Sequence, residues 1–143
     1  AVAAALALAL SVDDLGFARA QRGAAMRVAS LGPPGTFAGH WGWQHYLEAE
    51  GWQPIEDNGP VSPPFAVAST PWPQSPAPDT CLREVLSFEI EDHGWGPRVH
   101  TAQGGANLHA FLVAGDPPVE TYAPWSFGDE PYERVIVYGA CKD

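Results

Sequence analysis

The stretch FAGHWGWQHYLE, residues 37–48, decides the fold of this chain. A turn rich in glycine and proline, residues 31–36, precedes it, and Gly51 follows it where a helix can end. We interpret the stretch as a short buried strand near Phe37, a tight turn at Gly39 and a helix over residues 41–50. A strand followed at once by a helix is the first step of an α/β layer. The sequence therefore predicts a single small, three-layer-like α/β domain with a mixed sheet.

The remaining segments are placed against this strand and helix by their composition. Small and β-branched side chains, or alternation of apolar with polar ones, predict extended segments or strands at residues 52–55, 65–69, 81–90 and 133–138. Proline, glycine and aromatic residues predict loops at residues 71–78, 91–106 and 122–131. Residues 108–113 are apolar, and their length does not decide between helix and strand.

The first twelve residues, AVAAALALALSV, are apolar and uncharged. A helix that crosses a membrane needs about 20 such residues, and a signal peptide starts with positive charge, which is missing here. Two interpretations stay open: the end of a transmembrane helix, and a buried Ala/Leu helix of a soluble domain. We favour the membrane helix, because alternating Ala and Leu without a polar side have no amphipathic period.

A connecting helix is predicted for residues 13–31, and the α/β domain for residues 32–143. The helix has a polar side with Arg19, Arg22 and Arg27. Four of its side chains are expected to make apolar contacts: Leu15, Phe17, Met26 and Val28. The arginines follow the apolar run, but their charge does not settle the orientation in a membrane.

The overall charge excludes one class of partner. Seven Lys and Arg residues against 17 Asp and Glu residues give a net charge of −10. Such a surface repels phosphate backbones, so we expect no nucleic-acid partner.

Two cysteines, Cys81 and Cys141, leave two interpretations open. They are either buried free thiols or a disulfide that ties a central strand to the C-terminal tail, which requires an oxidising compartment. No Cys/His ligand spacing surrounds them, and His40 and His45 are five residues apart rather than the four that place two ligands on one helix face. We therefore expect no metal site and no cofactor.

The candidate substrate-binding residues come from the central stretch. Polar and aromatic side chains at a strand–helix turn are common at ligand clefts of α/β sheets. The alternative role for the same side chains is to pin the helix to the sheet. Catalytic residues stay unknown, since the sequence contains no nucleophile motif. The candidates are His40, Trp41, Trp43, His45 and Tyr46.

Residues 39–48, GHWGWQHYLE, followed by GWQPI at 51–55, resemble a GHWGFQYYLE…GxRPL stretch. That stretch belongs to the C-terminal soluble part of bacterial polytopic glycosyltransferases, which are similar to dolichyl-phosphate-mannose protein mannosyltransferases and to the aminoarabinose transferases of lipid A. The segment PYERVIVY, residues 131–138, is similar to the P-x-E-R-x-x-V-Y segment that closes those chains. One departure is VSPP at residues 61–64, where the family carries a Gly-Asp-Leu-Val-type segment.

The resemblance implies an accessory, non-catalytic domain on the extracytoplasmic (periplasmic) side of a membrane glycosyltransferase that uses a polyprenyl-phosphate-linked sugar. Its partners would be the rest of the membrane protein and a glycan or lipid-linked sugar. The family's catalytic acid lies in an early loop between transmembrane helices, and this sequence contains no such helices. No catalytic residue can therefore be carried over.

Two alternatives belong to other classes of protein. The Trp-rich loops would suit a stand-alone module that binds carbohydrate or peptide. LGPPGTF, residues 31–37, is similar to the LGPxGTF opening of prephenate dehydratases, which would imply a soluble α/β enzyme. The second motif of that family, with its Thr, Arg and Phe residues, is missing here.

Overall fold

The described part of the chain is an α/β domain built on a mixed sheet, as predicted. The computed structural model describes residues 2–39, 41–68, 74–90, 95–101 and 123–141, without the side chain of Trp41. Its elements are α1 (Val2–Ala29), β1 (Thr36–Ala38), α2 (Trp41–Ala49), β2 (Gln53–Pro54), β3 (Phe65–Ala68), β4 (Leu82–Ile90), β5 (Gly96–Arg98), β6 (Ser126–Gly128) and β7 (Glu133–Ala140).

Within these residues the main sheet has five strands in the order β2-β1-β3-β7-β4. Strand β1 runs parallel to β2 and β3, and β7 runs antiparallel to β3 and β4. Parallel neighbours need a crossover, and α2 provides the one between β1 and β2. The predicted strand, turn and helix of the central stretch are thus confirmed, and they form one β-α-β unit.

The turn between β1 and α2 depends on Gly39, whose φ angle is +130°. Residues with a side chain rarely adopt this conformation. A Cβ atom there would also lie 2.6 Å from Cδ1 of Trp43. Glycine at this position therefore lets α2 begin directly after the strand and fold back onto it.

Both described helices pack on one face of the sheet. Their side chains form a first core cluster with the strands, in which Phe37, Val135 and Val137 face Phe17 and Val28 of α1 and Trp43 and Leu47 of α2. A second core cluster covers the opposite face, where Phe65 and Val67 contact Ile55 and Val61 of the segment after β2. The layers are therefore helices, sheet and a thin loop layer.

A β-bulge at Val85 changes the face of the sheet on which the apolar side chains of β4 pack. Glu84 pairs with Tyr138 and Leu86 pairs with Val137, so Val85 stands between two partners without one of its own in the ladder. Before the bulge, Leu82 packs on the second core cluster. After it, Leu86 packs on the first core cluster. One strand therefore contributes to both layers.

Helix α1 is continuous from Val2 to Ala29, with no break between residues 12 and 13. Of the four apolar contacts predicted on it, Phe17 and Val28 are buried, but Leu15 and Met26 are exposed. The prediction was wrong for these two because they lie off the stripe that faces the sheet. None of the helices in the described ranges combines the length and the apolar content needed to cross a bilayer.

Two of the predicted loops contain strands instead. Gly96–Arg98 and Ser126–Gly128 pair antiparallel and form a small second sheet. Three-residue strands that contain glycine and proline have no recognisable alternation, which explains why the pattern failed there. Residues 108–113 and part of the proline-rich loop, residues 71–73, lie outside the described residues, as does Ser69 at the end of the predicted strand 65–69.

The two cysteines form a disulfide, with Cα atoms 5.6 Å apart and a separation of 60 positions in the chain. It joins the start of β4 to the end of β7. Strand β4 lies at the edge of the sheet rather than at its centre. The expectation that the disulfide ties a central strand to the C-terminal tail was therefore wrong about this strand, which is an edge strand.

Candidate functional site

The five candidate residues of the central stretch do not share one surface. His40 and the side chain of Trp41 lie outside the described residues. Trp43 is buried, with 1% of its surface exposed, whereas His45 is exposed and Tyr46 is half-buried. Helix α2 thus turns Trp43 toward the core and His45 toward solvent, which its periodicity of 3.6 residues requires.

Trp43 holds α2 against the sheet. Its ring packs in the first core cluster, and its Nε1 donates a hydrogen bond of 3.1 Å to the carbonyl oxygen of Ala38 in β1. A buried tryptophan needs such an acceptor for its N–H group. Packing is therefore the role that the geometry gives to this side chain.

His45 and Tyr46 form a small surface with Arg22 of α1, which we name the α2 patch. The rings of His45 and Tyr46 meet edge to face with centroids 5.2 Å apart. The Arg22 guanidinium lies 5.9 Å from the centroid of the Tyr46 ring. A guanidinium, a phenol and an imidazole together offer a cation, an aromatic face and hydrogen-bonding groups to a ligand.

The close contact of the two helices brings the α2 patch together. Gly42 of α2 lies against the buried side chain of Gln21 in α1, and a Cβ atom at Gly42 would collide with the Gln21 amide oxygen. Arg22 directly follows Gln21, so it lies at the same level of the interface as the start of α2. On the outer side of α2, Gln44 donates a 2.9 Å hydrogen bond to Glu48.

The second cluster of polar side chains is buried, and sequence patterns did not predict it. Asp13 accepts hydrogen bonds from Arg98 Nη1 at 2.9 Å, from the Val99 backbone N–H at 2.7 Å and from the Tyr132 hydroxyl at 2.7 Å. We name these four residues the Asp13 network. Both side chains of its ion pair are about 95% buried. Burial of a charge is costly unless it is paired and hydrogen-bonded, and Asp13 meets both conditions.

A buried histidine and glutamate lie next to the Asp13 network. His100 Nε2 is 3.4 Å from Glu133 Oε1, and both side chains are 1% exposed. The Phe17 ring stacks on the imidazole with centroids 4.5 Å apart. Because Phe17 and Asp13 are one helical turn apart on α1, the two buried clusters fix the same side of this helix to residues 98–100 and 132–133.

One sequence signal points to the buried network. Asp13, Phe17, Gln21 and Val28 follow one another at helical spacing and share the buried stripe of α1. Polar residues on such a stripe indicate buried polar partners elsewhere in the fold. The partners themselves, 85 and 119 residues away, leave no local pattern.

The first part of α1, residues 2–12, extends beyond this buried stripe and is named the apolar segment. Val2, Leu8 and Val12 are 85%, 68% and 64% exposed. The only hydroxyl of the segment, on Ser11, donates a 2.9 Å hydrogen bond to the carbonyl oxygen of Ala7 in the same helix. No charged side chain lies in the segment, so its outer surface has few groups that can form hydrogen bonds with water.

Strands β5 and β6 present a group of aromatic side chains, and we name these strands with Trp95 and Trp125 the aromatic ribbon. The Trp95 and Phe127 rings stack with centroids 5.5 Å apart, and Trp125 meets Phe127 edge to face at 5.4 Å. Trp95 is 73% exposed and Phe127 is 51% exposed. Large aromatic surfaces exposed side by side often mark an interaction site.

The shallow depressions near β4 are lined by none of the five candidate substrate-binding residues. One depression, of about 260 Å³, lies between α1 and β4. At this depression the Arg27 guanidinium lies 4.0 Å from the centroid of the Phe88 ring. A further depression, of about 420 Å³, is lined by Ser87, Phe88, Glu89 and Arg134. Among the described residues, no three His, Cys, Asp or Glu side chains are placed to hold a metal ion.

Comparison with family models, with curated proteins and with solved structures finds no significant match.

Proposed function

We propose that this chain is an extracytoplasmic, non-catalytic domain of a membrane glycosyltransferase whose donor is a polyprenyl-phosphate-linked sugar. The observation that carries the proposal is the apolar segment of α1. It is exposed and uncharged, and it belongs to the same helix that packs into the core. The domain is therefore rigidly joined to a surface that is suited to lipid.

Several features of the apolar segment favour a bilayer over water. Burying its exposed Val and Leu side chains is worth about 1.5–3 kcal/mol each. The Ser11 hydroxyl is already satisfied by Ala7, as Ser side chains in membrane helices commonly are. Eleven helical residues rise about 17 Å, roughly half of the hydrocarbon thickness of a bilayer. The described segment accounts for partial immersion and not for a complete crossing.

The disulfide between Cys81 and Cys141 supports the extracytoplasmic side. Disulfides persist in oxidising compartments such as the bacterial periplasm and are rare in the cytosol. An intact disulfide in the cell is thus expected only if the folded domain lies outside the cytoplasm.

Glycosyl transfer rests on the resemblance of residues 39–48 and 51–55 to the glycosyltransferase stretch. The side chains of the α2 patch support this function because they suit a phosphate and a sugar. Arg22 is an exposed cation in a chain of net charge −10, and guanidinium groups bind phosphate well. His45 and Tyr46 beside it offer an imidazole and an aromatic face to a sugar. We assign to this patch the binding of acceptor or donor head group, with the bond-making done elsewhere.

Transfer activity tests the assignment of the α2 patch. In membranes that contain the whole gene product, Arg22→Ala and His45→Ala should each lower the transfer rate about tenfold, as expected for the loss of one charged hydrogen bond. Glu50→Ala, an exposed carboxylate just past α2, is the matched control and should leave the rate unchanged. Wild-type rates in both patch variants would contradict the assignment. Trp43→Ala is unsuitable, because emptying a buried site costs about 3–5 kcal/mol.

Cysteine alkylation in intact cells tests the compartment. A membrane-permeant maleimide should leave Cys81 and Cys141 unmodified until a reductant is added, and both should react after reduction and unfolding. Modification of both thiols before reduction would place the domain in a reducing compartment and refute the extracytoplasmic assignment.

A stand-alone carbohydrate-binding module is the second candidate function. The exposed stack of Trp95 and Phe127 favours it, since flat aromatic surfaces bind the apolar faces of sugar rings. The isolated chain on a glycan array distinguishes the two. A module binds a defined glycan without other proteins, whereas an accessory domain is expected to bind none.

A further inference from the structure

We propose that the aromatic ribbon lies in the membrane–water interface beside the apolar segment, in contact with zwitterionic phospholipid head groups. The inference rests on the membrane attachment in the proposed function. It adds a second contact with the bilayer, through Trp95 and Phe127, which lie far from the α1 apolar segment in sequence.

The direction in which residues 98–100 run along α1 indicates where the aromatic ribbon lies relative to this helix. His100 stacks on Phe17, and Arg98 and the Val99 N–H bind Asp13, one turn closer to the start of α1. Moving backward from His100 to Arg98 therefore means moving toward the N-terminus of the helix. Strand β5 itself lies against α1.

From the same direction we infer that Trp95 lies alongside the apolar segment. Trp95 precedes Val99 by four residues, which span about 13 Å in an extended strand. Along a helix, about nine residues cover the same distance. Counted back from Asp13, this places Trp95 near the first turns of α1, within residues 2–12.

The Asp13 network keeps this arrangement rigid. The carboxylate binds the side chain of Arg98 in β5, the backbone N–H of Val99 directly after β5, and the hydroxyl of Tyr132. Because these bonds are buried, the aromatic ribbon cannot swing away from α1 without exposing an ion pair from the core. In the proposed arrangement, the exposed aromatic rings and the exposed apolar helix face the same bilayer.

The chemistry of this combined surface fits a bilayer interface. Tryptophan prefers the head-group level, where its ring is buried and its N–H group meets polar partners. Asp129 follows β6 directly and is exposed, and the chain carries a net charge of −10. Anionic lipid would be repelled by these charges, so we commit to a zwitterionic surface such as phosphatidylcholine.

Vesicle flotation with the full 143-residue chain tests the proposal. Wild-type protein should float with phosphatidylcholine vesicles, and less of it should float as phosphatidylglycerol is added. Trp95→Ala/Phe127→Ala should lower the partition coefficient about tenfold, since two exposed aromatic side chains lose their lipid contact. Val85→Ser, which changes an exposed apolar residue at the bulge in β4, is the matched control and should float like wild type.

The variants separate failure of this inference from failure of the proposed function. If Leu8→Glu/Val12→Glu abolishes flotation while Trp95→Ala/Phe127→Ala leaves it at the wild-type level, the aromatic ribbon is not an interfacial contact but the membrane attachment stands. If the wild-type chain does not float at all, both fail. Binding of a defined glycan that is lost in Trp95→Ala/Phe127→Ala, with flotation unchanged, would overturn the inference in favour of sugar recognition.

Discussion

Asp13 and Arg98 form a buried ion pair across 85 residues of the chain, with Oδ1 and Nη1 2.9 Å apart. The pair connects α1, which opens the fold, with β5 of the small second sheet. Removal of one partner from such a pair leaves an uncompensated charge in the core. We expect Asp13→Asn to lower the free energy of unfolding by about 3–5 kcal/mol.

Urea denaturation followed by circular dichroism measures this loss. Asp79→Asn changes an exposed carboxylate and should stay within about 0.5 kcal/mol of wild type. A loss below about 1 kcal/mol in Asp13→Asn would mean that the pair contributes little to the fold.

Gly39→Ala and Gly23→Ala should have opposite effects on the stability of the fold. Gly39→Ala places a Cβ atom 2.6 Å from Trp43 at a φ of +130°, and strain together with overpacking should cost about 2–4 kcal/mol. Gly23 lies inside α1 with open space around it, so Gly23→Ala should add about 0.5–1 kcal/mol of stability. Melting temperatures that shift in the same direction for both variants would contradict this account of the strand–helix turn.

The disulfide should account for a large part of the stability of the domain. It closes a loop of 60 residues, which restricts the unfolded chain and is worth about 4 kcal/mol in the loop-entropy account. Cys81→Ser/Cys141→Ser should therefore unfold at a clearly lower urea concentration, and wild-type protein in reductant should match this variant. Equal midpoints for the oxidised and the reduced protein would refute the expectation.

The bulge in β4 predicts which side chains of this strand matter. Leu82 is half-buried and packs on the second core cluster, so Leu82→Ser should cost about 1–2 kcal/mol. Val85 lies on the bulge with 53% of its surface exposed, and Val85→Ser should change stability by less than about 0.5 kcal/mol. The same urea series measures both, and a larger cost at Val85 would argue against the bulge.

Sequence patterns predicted the elements whose signals are local. The strand at Phe37, the turn at Gly39 and the helix after it follow from neighbouring residues, as does the strand that begins at Glu133. Strands β5 and β6 were missed because three residues with glycine or proline carry no period, and only their mutual pairing makes them strands.

The candidate site was less predictable for the same reason. The spacing of the aromatic residues in α2 did not say which side chains face the core, and the structure separates Trp43 from His45. The partners of Asp13 come from distant parts of the chain, so no window of sequence contains them. The apolar character of residues 2–12 was evident, whereas their exposure depends on where α1 leaves the sheet.

Both edges of the main sheet carry features that oppose aggregation. Strand β2 has two residues, and its Pro54 has no N–H group to offer to another strand. Strand β4 is distorted by its bulge and carries Arg83, Glu84 and Glu89. Among the described strands of this sheet, neither edge is long, flat and uncharged, as an edge must be for a second molecule to extend it. We therefore expect concentrated solutions of the folded domain to resist fibril formation.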